Sequence, residues 1–158
     1  MNINIISVGK IKEKYFTAAI DEYAKRLSRF VKLNITEVPD EKIPDNASGK
    51  EMELIKEKEG AKILAKLPQN SFVVTLCIEG KELSSEELAE KISDISMTSS
   101  NITFIIGGSL GLADAVKCKS NLRLSFGRMT LPHQLMRVVL LEQIYRAFKI
   151  NNNESYHK

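Results

Sequence analysis

The sequence predicts a single α/β domain in which a parallel sheet is covered by helices on both faces. The chain has 158 residues, which suits one domain and is too short for two comfortable ones. Hydrophobic residues make up 43% and charged residues 27%, the ordinary composition of a globular protein. Segments with a strand pattern alternate with segments with a helix pattern, and this alternation is typical of parallel sheets in α/β domains.

The predicted strands are short apolar runs that stop at residues typical of turns. The first ends at Gly9 and the second at Pro39, while the third is rich in β-branched residues and is followed by Glu79 and Gly80. The fourth runs directly into two glycines, and the last is brief. These strands cover residues 3–8, 31–38, 72–78, 102–106 and 122–125.

The predicted helices are indicated by apolar spacing and by start signals. Ser48 with Glu51, and Ser84 with Glu87, form capping boxes, which open the second and third helices. Pro132 suits the first turn of the last helix. The helices cover residues 15–30, 48 to about 67, 84 to about 95, 112–117, and 132 to about 150.

The last helix is apolar around most of its circumference. A surface helix needs only one apolar stripe, so this helix must bury two faces. One face can pack on the sheet, and the other predicts a homodimer formed through a second copy of the chain. The apolar residues are Leu135, Met136, Val138, Val139, Leu140, Leu141, Ile144, Tyr145 and Phe148.

Composition excludes several protein classes. Cys77 and Cys118 have no metal-like spacing, so they indicate a reducing compartment and small apolar residues in or near the core. Only two histidines occur, and no Cys/His cluster predicts a metal site. Residues 1–10 lack the apolar run of a signal peptide, and no stretch is long enough for a membrane span. We therefore expect a cytoplasmic protein without metal.

Charge is distributed unevenly along the chain. The net charge is +3, yet residues 117–158 contain eight Lys or Arg against two acids, so residues 1–116 carry a net charge of −3. A basic end on a nearly neutral protein favours a polyanionic partner such as RNA. A solvated basic surface without a partner is the alternative.

The first candidate site is the glycine loop after the fourth strand. Gly107, Gly108 and Gly111 allow a sharp turn and let a ligand approach the backbone, at the strand ends where α/β proteins bind ligands. The spacing matches neither a dinucleotide fingerprint nor a phosphate loop. A plain tight turn is the alternative.

The second candidate site is the loop of residues 125–133 with the start of the last helix. Its mixture of apolar, polar and flexible residues could hold an adenine and a methionine-like chain; a simple start to the helix is the alternative. His133 lies in the first helical turn, where the positive end of the dipole lowers an imidazole pKa, and Arg137 shares its face. This pair could position an RNA base or phosphate, or could be a buried or capping histidine beside a surface arginine.

The chain ends with a third candidate, Tyr156 and His157 followed by Lys158. Chain ends are usually frayed, but an aromatic ring, an imidazole and a cation also suit contact with RNA. Neither a Ser-His-Asp arrangement nor a pair of catalytic carboxylates can be identified. A reaction that requires mainly alignment of its reactants would need neither arrangement.

Taken together, these segments resemble the ribosomal RNA large subunit methyltransferase H family, of the SPOUT class. Each matching piece is short, but the combination is specific and extends over essentially the whole chain. The matching segments are SVGK at 7–10, VPDEK at 38–42, KEG at 58–60, VTL at 74–76, FIIGG at 104–108, Gly111, LS at 124–125, MTLPH at 129–133, RVV at 137–139, EQ at 142–143, YRAF at 145–148 and YH at 156–157.

The resemblance implies a fold and an activity. It implies a homodimer with a C-terminal trefoil knot, formed by about residues 72–158, a feature that general topology rules exclude. It implies S-adenosylmethionine-dependent methylation of N3 of a pseudouridine in 23S rRNA, on the assembled ribosome. The implied cofactor-binding residues are Leu76, Gly107, Gly108, Gly111, Gly127, Arg128, Met129, Thr130, Leu131 and Pro132.

The resemblance also implies an RNA site made from both subunits, with the tail of one chain closing over the cofactor of the other. The residues expected to act there are His133, Arg137, Tyr156 and His157, of which either histidine could remove the N3 proton. Cys77 stands where the family more often has an acid, and Arg128 lies where relatives vary, so the role of each stays open. Two rival functions are a non-catalytic RNA-binding protein and a nucleotide-dependent oxidoreductase.

Overall fold

The computed structural model describes all residues from Met1 to Lys158. Five strands and five helices alternate, as the sequence pattern predicts. They are β1 (Asn2–Val8), α1 (Lys14–Leu27), β2 (Lys32–Val38), α2 (Gly49–Lys66), β3 (Phe72–Glu82), α3 (Ser85–Thr98), β4 (Asn101–Ile106), α4 (Asp114–Lys117), β5 (Leu122–Ser125) and α5 (His133–Asn151).

The strands form one parallel sheet in the order β2-β1-β4-β3-β5. The connections from β1 to β2 and from β3 to β4 step one way across the sheet, and those from β2 to β3 and from β4 to β5 step the other way. Because such crossovers are right-handed, opposite steps place their helices on opposite faces. The structure has this arrangement, with α1, α3 and α5 on one face and α2 and α4 on the other.

The core is divided between the two faces of the sheet. Alternate strand residues point to opposite faces, so Ile3 and Ile5 belong to the cluster under α1, α3 and α5, while Ile6 and Val8 belong to the cluster under α2 and α4. None of the five helices combines the length and apolarity needed to cross a bilayer.

Local signals located the helix starts well. Ser48 Oγ accepts a hydrogen bond from Glu51 N, and Ser84 with Glu87 forms a complete capping box. Pro132 is the residue before α5 rather than a residue of its first turn. The predicted helix 15–30 was too long, because α1 ends at Leu27 and the next three residues form a turn. Phe30 nevertheless packs against Phe148, with 5.8 Å between ring centroids, which explains its helix-like apolar spacing.

The helix α5 packs between α1 and α3 on the sheet. Leu140, Leu141 and Ile144 are fully buried by these neighbours within one chain. Much of the apolar circumference of α5 is therefore covered without a second subunit. The apolar circumference alone does not require a homodimer. Leu135, Val138 and Val139 remain only half-buried.

Candidate active site

A cavity of about 680 Å³ opens at the carboxyl ends of β3, β4 and β5. This volume lies within the range of small-molecule sites, which is roughly 300–1,000 Å³. Half of its lining is apolar, since 11 of its 22 residues are hydrophobic. The lining comes mainly from three segments of chain: residues 76–79, 106–112 and 124–133. All three were expected to bind the cofactor.

Nine of the ten residues expected to bind the cofactor line this cavity. They are Leu76, Gly107, Gly108, Gly111, Gly127, Met129, Thr130, Leu131 and Pro132. The tenth, Arg128, is exposed and does not contribute to the lining. Its expected contact with the cofactor therefore has no support from the lining of this cavity.

The first lining segment is an irregularity in β3. The pairing with β5 shifts from Leu76 opposite Leu124 to Lys81 opposite the same Leu124, so residues 77–80 form a bulge. Bulges of this kind re-aim side chains and are frequent beside active sites. Cys77, Ile78 and Glu79 line the cavity as a result, although the sequence pattern predicted no site role for Ile78 or Glu79. The strand was predicted to end at residue 78 because Gly80 resembled a terminator.

The glycine loop is folded tightly on itself. Gly111 N donates to Gly108 O at 3.0 Å, and Gly111 has a φ of +84°. A Cβ atom at Gly107 would lie 2.8 Å from the carbonyl carbon of Gly111, so no side chain fits there. The loop is therefore a tight turn and also a wall of the cavity. The two interpretations of the glycines, as a turn and as a ligand-binding loop, are compatible.

Buried Ser125 connects the third segment to the first. Its Oγ donates to Ile78 O at 2.8 Å and accepts from Gly127 N at 3.1 Å. Gly127 has a φ of +114°, which favours glycine. This hydroxyl holds the bulge of β3 and the loop before α5 at a fixed separation. This role was not predictable from the sequence, since a serine at a strand end has no distinctive spacing.

His133 lines the cavity from the first turn of α5. It is half-buried, and its Nδ1 is enclosed without a hydrogen-bond partner in the protein. Burial lowers the pKa of the imidazole, the Arg137 cation adds to this effect, and Asp40 opposes it. The expected direction of the pKa shift is present, but its leading cause is desolvation rather than the helix dipole. The neutral imidazole is thus a possible proton acceptor at the cavity.

Arg137 has partners other than the expected RNA. Its side chain is only 2% exposed and its Nη1 lies 2.6 Å from Glu37 Oε2. Its Nη2 donates to the main-chain carbonyls of Val8 and Gly9. The guanidinium therefore ties the first turns of α5 to the ends of β1 and β2, and it does not line the cavity. Arg137 is therefore not the surface arginine that one interpretation of the sequence predicted.

The C-terminal residues are ordered and lie on their own chain, away from their own cavity. Tyr156 Oη donates to Glu142 Oε1 at 3.2 Å, and its ring contacts Tyr145 edge-on at 5.0 Å. His157 Nε2 lies 2.7 Å from Glu86 Oε1. Burial and the Glu142 carboxylate raise the pKa of Tyr156 to about 12. The frayed tail that is usual for chain ends does not occur.

Charged groups at the cavity rim are paired. Lys117 Nζ lies 2.6 Å from Glu79 Oε1, and this pair raises the pKa of the lysine and lowers that of the glutamate. Lys56 lies 2.6 Å from Glu53. No group of three His, Cys, Asp or Glu side chains is arranged to hold a metal ion.

Comparison with known proteins agrees with this geometry. A family model described as "Predicted SPOUT methyltransferase" matches residues 1–157. The chain is 61% identical to ribosomal RNA large subunit methyltransferase H of Clostridioides difficile (strain 630) and 62% identical to that of Clostridium novyi (strain NT). Each alignment spans 159 positions and covers 100% of both chains.

A solved structure shares the fold. It is described as "The structure of a probable methylase family protein from Haemophilus influenzae Rd KW20", with a TM-score of 0.53, 14% identity, and coverage of 99% of this chain and 70% of that one. At this identity the likeness concerns the fold alone. The family model and the full-length relatives carry the assignment: this chain belongs to the SPOUT methyltransferase family.

Proposed function

We propose that this protein transfers a methyl group from S-adenosylmethionine to N3 of a pseudouridine in 23S rRNA of the assembled ribosome, in the cytoplasm. The observation that carries the proposal is the cavity, because the three segments expected from sequence to bind the cofactor converge on it. The relatives at about 60% identity carry the name of a large subunit rRNA methyltransferase, which supports rRNA as the substrate.

The cavity suits S-adenosylmethionine in size and in lining. The cofactor combines an adenosine with a charged amino-acid chain, and it supplies a methyl group on a sulfonium. The apolar lining would contact the adenosine, and the glycine loop exposes its backbone because no side chain fits at Gly107. Leu76, Gly108 and residues 127–132 would hold the cofactor. Glu79 is the only carboxylate of the lining, and it is paired with Lys117.

N3 must lose its proton before it can accept a methyl group. His133 is the proton acceptor that we favour, because it lines the cavity and burial keeps its imidazole neutral. Arg137 acts through position, since it fixes the first turns of α5 and with them His133. Tyr156 is unsuited to be the base, because its raised pKa keeps the phenol protonated.

Tyr156 and His157 are proposed to act on the RNA at the cavity of a partner subunit in a homodimer. In one chain they lie against α3 and α5 and do not line the cavity. The half-buried apolar residues of α5 and the exposed Phe126, Met129 and Leu131 at the cavity rim are suitable for contact with a second copy.

The first experiment measures transfer of labelled methyl from S-adenosylmethionine to ribosomes purified from cells that lack this protein. Protein-free 23S rRNA is the parallel substrate. We expect label on ribosomes, little label on free rRNA, and a product that maps to N3 of one pseudouridine. Binding to ribosomes without any transfer would instead favour a non-catalytic RNA-binding protein.

Mixed dimers test whether the tail acts on the partner's cavity. One variant carries Gly107→Val, which disrupts the cavity, and the other lacks residues 156–158. If the tail acts across the dimer, each variant is inactive alone and mixing restores part of the activity. The restored dimer pairs an intact cavity with the intact tail of its partner. No recovery in dimers shown to be mixed would contradict the shared site.

A further inference from the structure

The loop between β1 and α1, together with the first turn of α1, carries an exposed surface of three lysines and one tyrosine. Lys10, Lys12 and Lys14 are exposed, and the Tyr15 side chain is 67% exposed. We call these four residues the lysine–tyrosine surface. None of the three lysines takes part in an ion pair. The only acid among residues 9–16 is Glu13, which is partly buried.

This surface is attached to the active-site end of α5. Ile11 N donates to Glu37 Oε2 at 3.1 Å, and Lys12 N donates to Gln134 Oε1 at 3.4 Å. A Cβ atom at Gly9 would lie 3.3 Å from Cε1 of His133, so the start of the loop contacts the histidine that lines the cavity. The three lysines therefore lie at the carboxyl ends of the strands, as the cavity does.

Folding does not account for these residue types at this place. The helix α1 begins with Lys14 and has no acidic residue in its first turn, and its N-cap residue Glu13 makes no side-chain capping hydrogen bond. A cation near a helix N-terminus is unfavourable to the helix, where an acid would stabilise it. An exposed aromatic ring adds nothing to the core. Residues that oppose local stability are characteristic of functional surfaces.

We propose that the lysine–tyrosine surface docks the rRNA strand beside the cavity. Its lysines would contact backbone phosphates, and Tyr15 would stack on an unpaired base. Unpaired cations around an exposed aromatic ring are complementary to single-stranded nucleic acid, in which phosphates and base faces are both accessible. The inference rests on the proposed function, because it takes rRNA as the substrate.

The test compares two triple variants of the full-length protein. In one, Lys10, Lys12 and Lys14 are replaced by Gln. The control replaces three other lysines by Gln: Lys32, Lys66 and Lys119. These are exposed and unpaired, and they lie at the amino ends of the strands. Both lose three charges. Equilibrium binding to ribosomes is measured over a range of salt concentrations with S-adenosylhomocysteine present, so no transfer is needed for a result.

We expect the first variant to bind ribosomes at least about tenfold more weakly than the control, and its salt slope, log K against log salt, to fall by about 2. Its affinity for S-adenosylmethionine should equal that of the control. Equal ribosome affinity and equal slopes in the two variants would overturn the proposal. So would weaker binding with an unchanged slope, because phosphate contacts would then be absent.

Tyr15 is tested by two further replacements. Tyr15→Ala should weaken ribosome binding by roughly fivefold or more, whereas Tyr15→Phe keeps the ring and should bind as the wild type does. Equal loss in both, or loss in neither, would overturn the stacking role. Methyl transfer by the wild type separates the two proposals: absent transfer refutes the proposed function, while ribosome binding by the variants still decides the surface.

Discussion

The buried Arg137 guanidinium and the Glu37 carboxylate form a 2.6 Å ion pair between α5 and β2. Arg137 also donates to two carbonyls at the end of β1, so one side chain joins three elements beside His133. Removing Glu37 would leave a cation buried without its counter-charge. We expect Glu37→Ala to lower the free energy of unfolding by about 3 kcal/mol.

The control for this ion pair is Glu22→Ala. Glu22 lies 2.9 Å from Arg26 in an exposed pair on α1, and such pairs contribute about 0–1 kcal/mol. Urea unfolding at one protein concentration measures both variants. Equal small losses would show that the burial of Arg137 does not make its pair more important.

The His133 imidazole should lower the stability of the folded protein in acid. Its pKa is lowered in the folded protein, so below pH 6.5 the unfolded chain binds the proton first. Stability is therefore lost as the pH falls from about 6.5 through the folded pKa. His133→Gln should flatten this part of the curve of unfolding free energy against pH. A curve unchanged by the substitution would contradict the lowered pKa.

Gly107→Ala should damage the cavity while the rest of the fold persists. The new methyl group would lie 2.8 Å from the carbonyl carbon of Gly111, so the loop must move. We expect affinity for S-adenosylmethionine, measured by calorimetry, to fall at least about tenfold. Gly49→Ala is the control, because no atom lies within 4 Å of its added Cβ. Equal affinities in the two variants would place the cofactor elsewhere.

The buried carboxyl of Glu59 should make stability depend on pH in the opposite sense. Burial raises its pKa, although Glu41 N donates to Oε2 at 3.0 Å. A raised acid pKa contributes stability at low pH that is lost as the pH rises through the folded pKa. Glu59→Gln should therefore gain stability relative to the wild type as the pH rises from 4.5. The exposed Glu57→Gln serves as control in the same urea titrations.

The Tyr156 hydroxyl should act as a hydrogen-bond donor and never as a base. Its pKa of about 12 keeps it protonated at any working pH. Tyr156→Phe removes its bond to Glu142 and should cost about 1 kcal/mol of stability. The shape of the pH–rate profile for methyl transfer should stay the same. An alkaline limb lost in the variant would show that the phenolate takes part.

The candidate site was largely predictable where the signal was local. Glycines at 107, 108, 111 and 127 mark the turns, and strand ends at one sheet edge meet in parallel α/β folds. The ten cofactor residues themselves were expected from the resemblance, and nine of them share one cavity. The bulge at residues 77–80 was not predictable, because it arises from a shift in pairing between β3 and β5 that the β3 sequence does not encode alone.

The sequence by itself determined the order of strands and helices and the starts of the capped helices. These depend on hydrophobic periodicity and capping, which act over a few residues. Only the tertiary structure decided that Arg137 is buried against Glu37, that Arg128 is exposed and that the tail lies on α3 and α5. The burial and pairing of these side chains depend on partners that are distant in the sequence. Local sequence patterns do not predict such partners.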